Sequence, residues 1–143
     1  MSQSFPKVKI IAVGKVKKPW LQAGIALYVK RLPELEIIEI KDAGLEKEAN
    51  KLESLIKDQD RLVVLSEFGK EYNSIEFARW LGEEAFGTLV LFVGGAEGVC
   101  DRLKHHPMIS LSAMTFPHEI ARLMLVEQLY RAKTILQNGS YHK

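Results

Sequence analysis

Five short apolar runs, each followed by residues at helical spacing, constrain the fold of this chain most. The runs are Val8 to Val13 (VKIIAV), Leu35 to Ile40 (LEIIEI), Arg61 to Ser66 (RLVVLS), Thr88 to Val93 (TLVLFV) and Met108 to Ser112 (MISLS). Short apolar runs rich in β-branched residues read as buried strands. Between the first two, Pro19 can open a helix carrying Leu21, Ile25, Tyr28, Val29 and Leu32 and ending at Pro33. A second helix spans Leu45 to Lys57, with Leu52, Leu55 and Ile56 as its apolar stripe. Ser74 can cap a third, carrying Ile75, Phe77, Ala78 and Leu81. A short helix is expected near Asp101 and a long one from Pro117 to Gln137. Strands that alternate with helices pair in parallel, because each crossover must return to the same end of the sheet. The expectation is an α/β fold: a mainly parallel sheet of about five strands, with helices on both faces. At 143 residues the chain is expected to form one domain, residues 1–143.

Apolar residues make up 47% and charged residues 27%, the ordinary balance of a globular protein in water. Cys100 is the single cysteine, so no internal disulfide can form, and a reducing compartment is expected. The N-terminus lacks the basic stretch and apolar run of a secretion signal, and no apolar run approaches membrane-spanning length. These features predict a cytoplasmic protein with no membrane association. The net charge is +2, yet Lys7, Lys9, Lys15, Lys17, Lys18, Lys30 and Arg31 all precede Pro33 with no acid among them. Such asymmetry suits a surface that meets an anion such as nucleic acid, although a solvated face explains a charge pattern alone equally simply.

In open α/β sheets, ligands bind beyond the carboxyl ends of the strands. That rule singles out the loops after Leu65, Val93 and Leu111. The second is FVGGAEGV, where Gly94, Gly95 and Gly98 either let the backbone approach a ligand or merely close a tight turn. Their spacing matches neither the dinucleotide fingerprint nor the phosphate loop. The third is SLSAMTFPHE, where Thr115 or a neighbour can cap the last helix. In the other reading, its free backbone groups meet the uncharged edge of an adenine. The last helix holds four consecutive apolar residues, Leu123 to Val126, and is therefore covered on more than one side. Glu127 and Arg131 stand i, i+4 in the order that favours an ion pair. No metal-ligand spacing and no Ser-His-Asp arrangement is present.

Taken in order, FVGGAEG, SLSAMTFPHEIARLMLVEQLYRA and the terminal YHK resemble the RlmH family of the SPOUT superfamily, ribosomal large-subunit pseudouridine N3-methyltransferases. The resemblance is densest from Thr88 to the end and extends to VVLSEFGKEYNSIEFA. It implies a deep C-terminal trefoil knot, which periodicity cannot reveal. It implies a homodimer packed through that region and S-adenosylmethionine as cofactor. The cofactor would be held at Leu65, Gly94, Leu111, Ser112, Ala113, Met114, Thr115 and Phe116, the same three loops reached from the sheet rule. The tail of one subunit would complete the cofactor site of the other, and the partner would be 23S rRNA in the assembled ribosome.

The same resemblance makes Arg131, Tyr141 and His142 the candidate catalytic residues. His142 would accept or relay the N3 proton, or only position the target base. Tyr141 would stack on or orient that base, and Arg131 would hold a phosphate or stabilise charge on the base oxygens. Lys15, Lys17, Lys18 and Lys143 would hold RNA backbone, and no metal is implied. Two departures stand out. Ser66 occupies a position that is usually acidic in the family, and Lys143 replaces the usual arginine, losing its planar fork. The competing readings are a non-enzymatic α/β nucleotide- or RNA-binding module, which leaves the tail unexplained, and a flavodoxin-like domain, which the single glycine of VGKVKKPW disfavours.

Overall fold

A computed structural model of the protein describes residues 4–83 and 87–143. Its elements run β1 (Lys7–Val13), α1 (Pro19–Val29), β2 (Leu35–Ile40), α2 (Leu45–Leu55), β3 (Asp60–Glu71), α3 (Ser74–Glu83), β4 (Thr88–Val93), a 3-10 turn (Asp101–His105), β5 (Met108–Ser110) and α4 (His118–Leu136). The five strands form one sheet in the order β2-β1-β4-β3-β5, and every pairing is parallel. The expected parallel α/β sheet is therefore present.

Alternate residues of each strand point to opposite faces. On one face, Val8, Ile10, Ala12, Leu89, Leu91 and Val93 pack with Leu32, with Phe77, Ala78 and Leu81 of α3, and with Leu125 and Leu129 of α4. On the other, Ile11, Val13, Val90 and Phe92 meet Ala49 and Leu52 of α2, together with Cys100 and Leu103. Because β4 lies in the middle, residues Leu89 to Val93 are all buried, which is why TLVLFV shows no polar alternation. Helix α4 touches both α1 and α3. Two helical neighbours plus the sheet account for an apolar surface too wide for one face.

Several boundaries differ from the sequence expectation, each for a local reason. β5 stops at Ser110, two residues early, because the Ser110 hydroxyl captures Ser112: Oγ donates to the Ser112 carbonyl (2.7 Å) and accepts from its amide (3.2 Å). Helix α2 ends at Leu55 rather than Lys57, since Ile56 turns extended and packs into the second core cluster. Helix α1 ends at Val29, and Lys30 to Leu32 continue as a turn. β3 runs on to Glu71, where a turn was expected after Ser66. Leu65 and Lys70 both pair with Ile109, so residues 66–69 form an outward bulge. Only glycine fits at position 69: a Cβ there would lie 2.6 Å from the Met108 carbonyl carbon.

The caps also differ. Asn73, not Ser74, caps α3: its Oδ1 accepts from the Glu76 amide (2.8 Å) while Glu76 Oε1 accepts from the Asn73 amide (2.9 Å). This is a reciprocal capping box. Thr115 does not cap α4, whose N-cap is Pro117 with no side-chain cap bond. The reciprocal pair at α3 carries a measurable stake. Asn73→Ala should lower unfolding free energy in urea by about 1 kcal/mol with an unchanged slope. An unchanged midpoint would show that the box does not hold the helix.

Candidate functional site

Gly94 and Leu111 directly follow β4 and β5, whereas Leu65 lies inside β3 at the start of its bulge, paired with Ile109; the three strands are adjacent in the sheet. The structure thus brings the three predicted loops together. The glycine loop folds tightly on itself: Gly95 bridges Gly98, whose amide donates to the Gly95 carbonyl (3.0 Å). A Cβ at Gly94 would sit 2.4 Å from the Gly98 carbonyl oxygen, so no side chain fits there. The tight-turn reading of these glycines therefore holds.

After Ser110 the chain is shaped by its own hydroxyls. Ser112 Oγ accepts from the Met114 amide (3.0 Å), and Thr115 Oγ1 donates to the Glu67 carboxylate. Glu67 sits on the β3 bulge, one residue past Ser66, so an acid still reaches this loop although Ser66 itself is not one. Ser66 instead accepts from the Phe68 amide (3.2 Å). Among the described residues, Ala113 to Phe116 make no backbone-to-backbone hydrogen bond, and Ala113, Met114 and Thr115 are exposed. The loop therefore offers free amides and carbonyls between the apolar side chains of Leu111, Met114 and Phe116. That chemistry suits an adenine, which presents apolar faces and an uncharged donor–acceptor edge.

The basic loop after β1 is docked beside this one. Glu119, in the first turn of α4, accepts from the Lys17 amide (2.7 Å), a bond that holds its carboxyl below the usual range. Arg122 is 3% exposed and pairs with Glu39 while donating to the Gly14 carbonyl (3.0 Å). Lys15, Lys17 and Lys18 remain exposed. Nothing in the sequence pattern marked Glu39 or Arg122, because the partners are 83 residues apart.

The tail is not frayed. Asn138 takes a left-handed turn (φ 57°), and the Gly139 amide donates to the Thr134 carbonyl (2.7 Å), folding the chain back on α4. Tyr141 Oη then donates to Glu127 Oε2 (2.7 Å), and the Tyr28 hydroxyl meets Tyr141 Oη at 3.2 Å. Arg131 pairs with the same Glu127 oxygen (2.7 Å), lies over the Tyr141 ring (4.8 Å) and reaches His142 Nδ1 (3.1 Å). Burial, with the bonds to Tyr28 and Glu127, pushes the Tyr141 phenol well above its usual range, so it stays protonated. The Glu127 partner raises the Arg131 guanidinium as well. The structure thus unites the three catalytic candidates, adding Tyr28, Tyr130 and Glu127 around them. Lys143 is exposed beside them.

The two halves lie against different turns of α4. The cofactor-type loop precedes His118, whereas the tail rests at Arg131. At 1.5 Å per residue, the helix rises about 14 Å from His118 to Glu127, which holds Tyr141, and about 20 Å to Arg131, which holds His142. Among the described residues, no group of three or more His, Cys, Asp or Glu is placed to hold a metal, and no helix is long and apolar enough to cross a membrane.

The family described as "Predicted SPOUT methyltransferase" matches residues 7–142, and the chain belongs to it. Close relatives carry a more particular name. "Ribosomal RNA large subunit methyltransferase H" of Synechococcus sp. (strain RCC307) is 50% identical over 139 residues, 96% of this chain and 95% of that protein. The proteins of that name from Prochlorococcus marinus (strain MIT 9303) and Parasynechococcus marenigrum (strain WH8102) are 50% and 48% identical, over 94% and 96% of this chain. The resemblance first carried by TFPH, EQLYRA and YHK therefore extends through the whole fold. Family membership sets aside the non-enzymatic reading and makes S-adenosylmethionine the methyl donor.

Gly94 supplies the direct check on the cofactor loop. Gly94→Ala should keep its far-ultraviolet dichroism and lose S-adenosylmethionine affinity by about tenfold or more in calorimetry, because the new methyl displaces the Gly98 carbonyl. Wild-type affinity would place the cofactor elsewhere.

Proposed function

We propose that this protein methylates N3 of a pseudouridine in large-subunit 23S rRNA, acting in the cytoplasm on the assembled ribosome as a homodimer. The names of the relatives support the RNA substrate. What supports a dimeric site is that α4 has the candidate cofactor loop before His118 and the tail at Glu127 and Arg131, about 14 to 20 Å further along its axis. Two copies related by a two-fold axis, with their α4 helices antiparallel, bring each tail to the partner's cofactor loop. The surface available for such packing is apolar: Trp20 and Leu27 on α1 and Met124 on α4 are 60%, 50% and 41% exposed. Family membership further implies that the segment from β5 into α4 is threaded as a trefoil knot.

Leu65, Gly94 and the stretch from Leu111 to Phe116 would hold S-adenosylmethionine, which supplies an electrophilic methyl group. Holding donor and base in line supplies most of the acceleration such a reaction needs. Tyr141, fixed by Glu127 and Tyr28, orients the target base. Lys15, Lys17 and Lys18 hold RNA backbone beside the cofactor loop, and Lys143 holds it beside the tail.

Mass spectrometry of rRNA from cells with and without the protein tests the reaction. One singly methylated pseudouridine in large-subunit rRNA should vanish with the protein; an unchanged methylation pattern would overturn the assignment. The basic loop has its own readout. Replacing Lys15, Lys17 and Lys18 together by Ala should weaken ribosome binding and flatten the log affinity–log salt slope by about 3. An unaltered slope would remove these lysines from the RNA interface.

A further inference from the structure

The bond between Arg131 and His142 fixes more than a position. A guanidinium has only donors and stays protonated at any working pH. Arg131 Nη1 lies 3.1 Å from His142 Nδ1, so Nδ1 must be the acceptor. An imidazole whose Nδ1 accepts carries its proton on Nε2, at the opposite edge of the ring. Arg131 cannot swing away freely. Its Nη2 is tied to Glu127 Oε2 (2.7 Å) and its plane covers the Tyr141 ring. Glu127 is held in turn by the Tyr141 hydroxyl and by the Gln128 amide (3.0 Å), and Ser74 donates to Gln128 (2.8 Å).

We infer that Arg131 is a positioning residue that locks His142 as its Nε2–H tautomer, so that His142 serves the reaction as a hydrogen-bond donor and not as a base. This rests on the proposed reading, in which the target is a uracil-type imide. N3 of such a ring is flanked by two carbonyls, and an N–H donor on one of them stabilises the negative charge that spreads there as the imide proton departs. The proton itself passes to water. With Nδ1 engaged by Arg131 and Nε2 carrying the proton, neither ring nitrogen presents a free lone pair to the base. Arg131 thus acts through His142 and does not itself touch the base.

Two measurements separate this inference from the reading beneath it. Nitrogen-15 NMR of imidazole-labelled, substrate-free protein should show His142 protonated on Nε2 and bare on Nδ1. Arg131→Gln, whose amide can donate or accept, should give a mixture of tautomers. Protonated Nδ1 in the wild type would overturn the inference whatever the substrate. Single-turnover methylation of ribosomes then tests the role. His142→Gln places an amide donor where Nε2–H stood, and should retain the rate within about tenfold, whereas His142→Ala should lose about a hundredfold or more. Equal loss in both variants, with S-adenosylmethionine binding intact, would make His142 the base and overturn the donor role. Absence of methylation by the wild type would instead sink the parent reading and leave the NMR result standing.

Discussion

Helix α4 is the constraint on which the rest of this molecule depends. Its 19 residues connect the loop that would hold the methyl donor to the tail that would meet the RNA base. It is fixed from three sides: by the sheet through Leu125 and Leu129, and by α1 and α3 along its flanks. A rigid rod of this length holds the two candidate ends of one chain at different turns, and in the dimeric reading proposed above each end is completed by the partner's.

The polar groups on α4 are what turn this rod into a scaffold for a site. Near its start, Glu119 and the buried Arg122 pin the basic loop of β1. Near its end, Glu127 gathers Arg131 and Tyr141. The Glu127–Arg131 side chains are only 18% and 25% exposed, so each charge depends on the other and on its extra hydrogen bonds. Breaking such a pair costs more than losing an exposed one, because a partly buried charge is left uncompensated. That dependence favours a single arrangement of the tail and holds Arg131 where it meets His142.

Much of this was legible in the sequence, for physical reasons. β4 copies its prediction residue for residue because a central parallel strand must be apolar throughout. The loops after β4 and β5 followed from the sheet rule, whereas β3 runs on past Leu65; EQLYRA with YHK marked Arg131, Tyr141 and His142 by resemblance. Three features were hidden. The β3 bulge rests on Gly69 approaching the backbone of β5, a contact that no local pattern encodes. The end of β5 is decided by one hydroxyl of Ser110, where strand propensity still favoured continuation. Tyr28 joins the tail across 113 residues and Arg122 reaches Glu39 across 83, and periodicity carries no information at such separations. Tyr28 instead read as one more member of an apolar stripe.

Whether one site is built from two chains is decided by mixing subunits. One partner carries Gly94→Ala with an intact tail; the other keeps its glycine loop and lacks Tyr141, His142 and Lys143. At S-adenosylmethionine held well below the dissociation constant of the Gly94→Ala variant, each homodimer alone should show little activity on ribosomes. Mixed at equal amounts and allowed to exchange, half the dimers are hybrids with one of their two sites whole, so activity should recover to about a quarter of wild type. No recovery in hybrids verified by native mass spectrometry would contradict a shared site and place both halves of the chemistry within one chain.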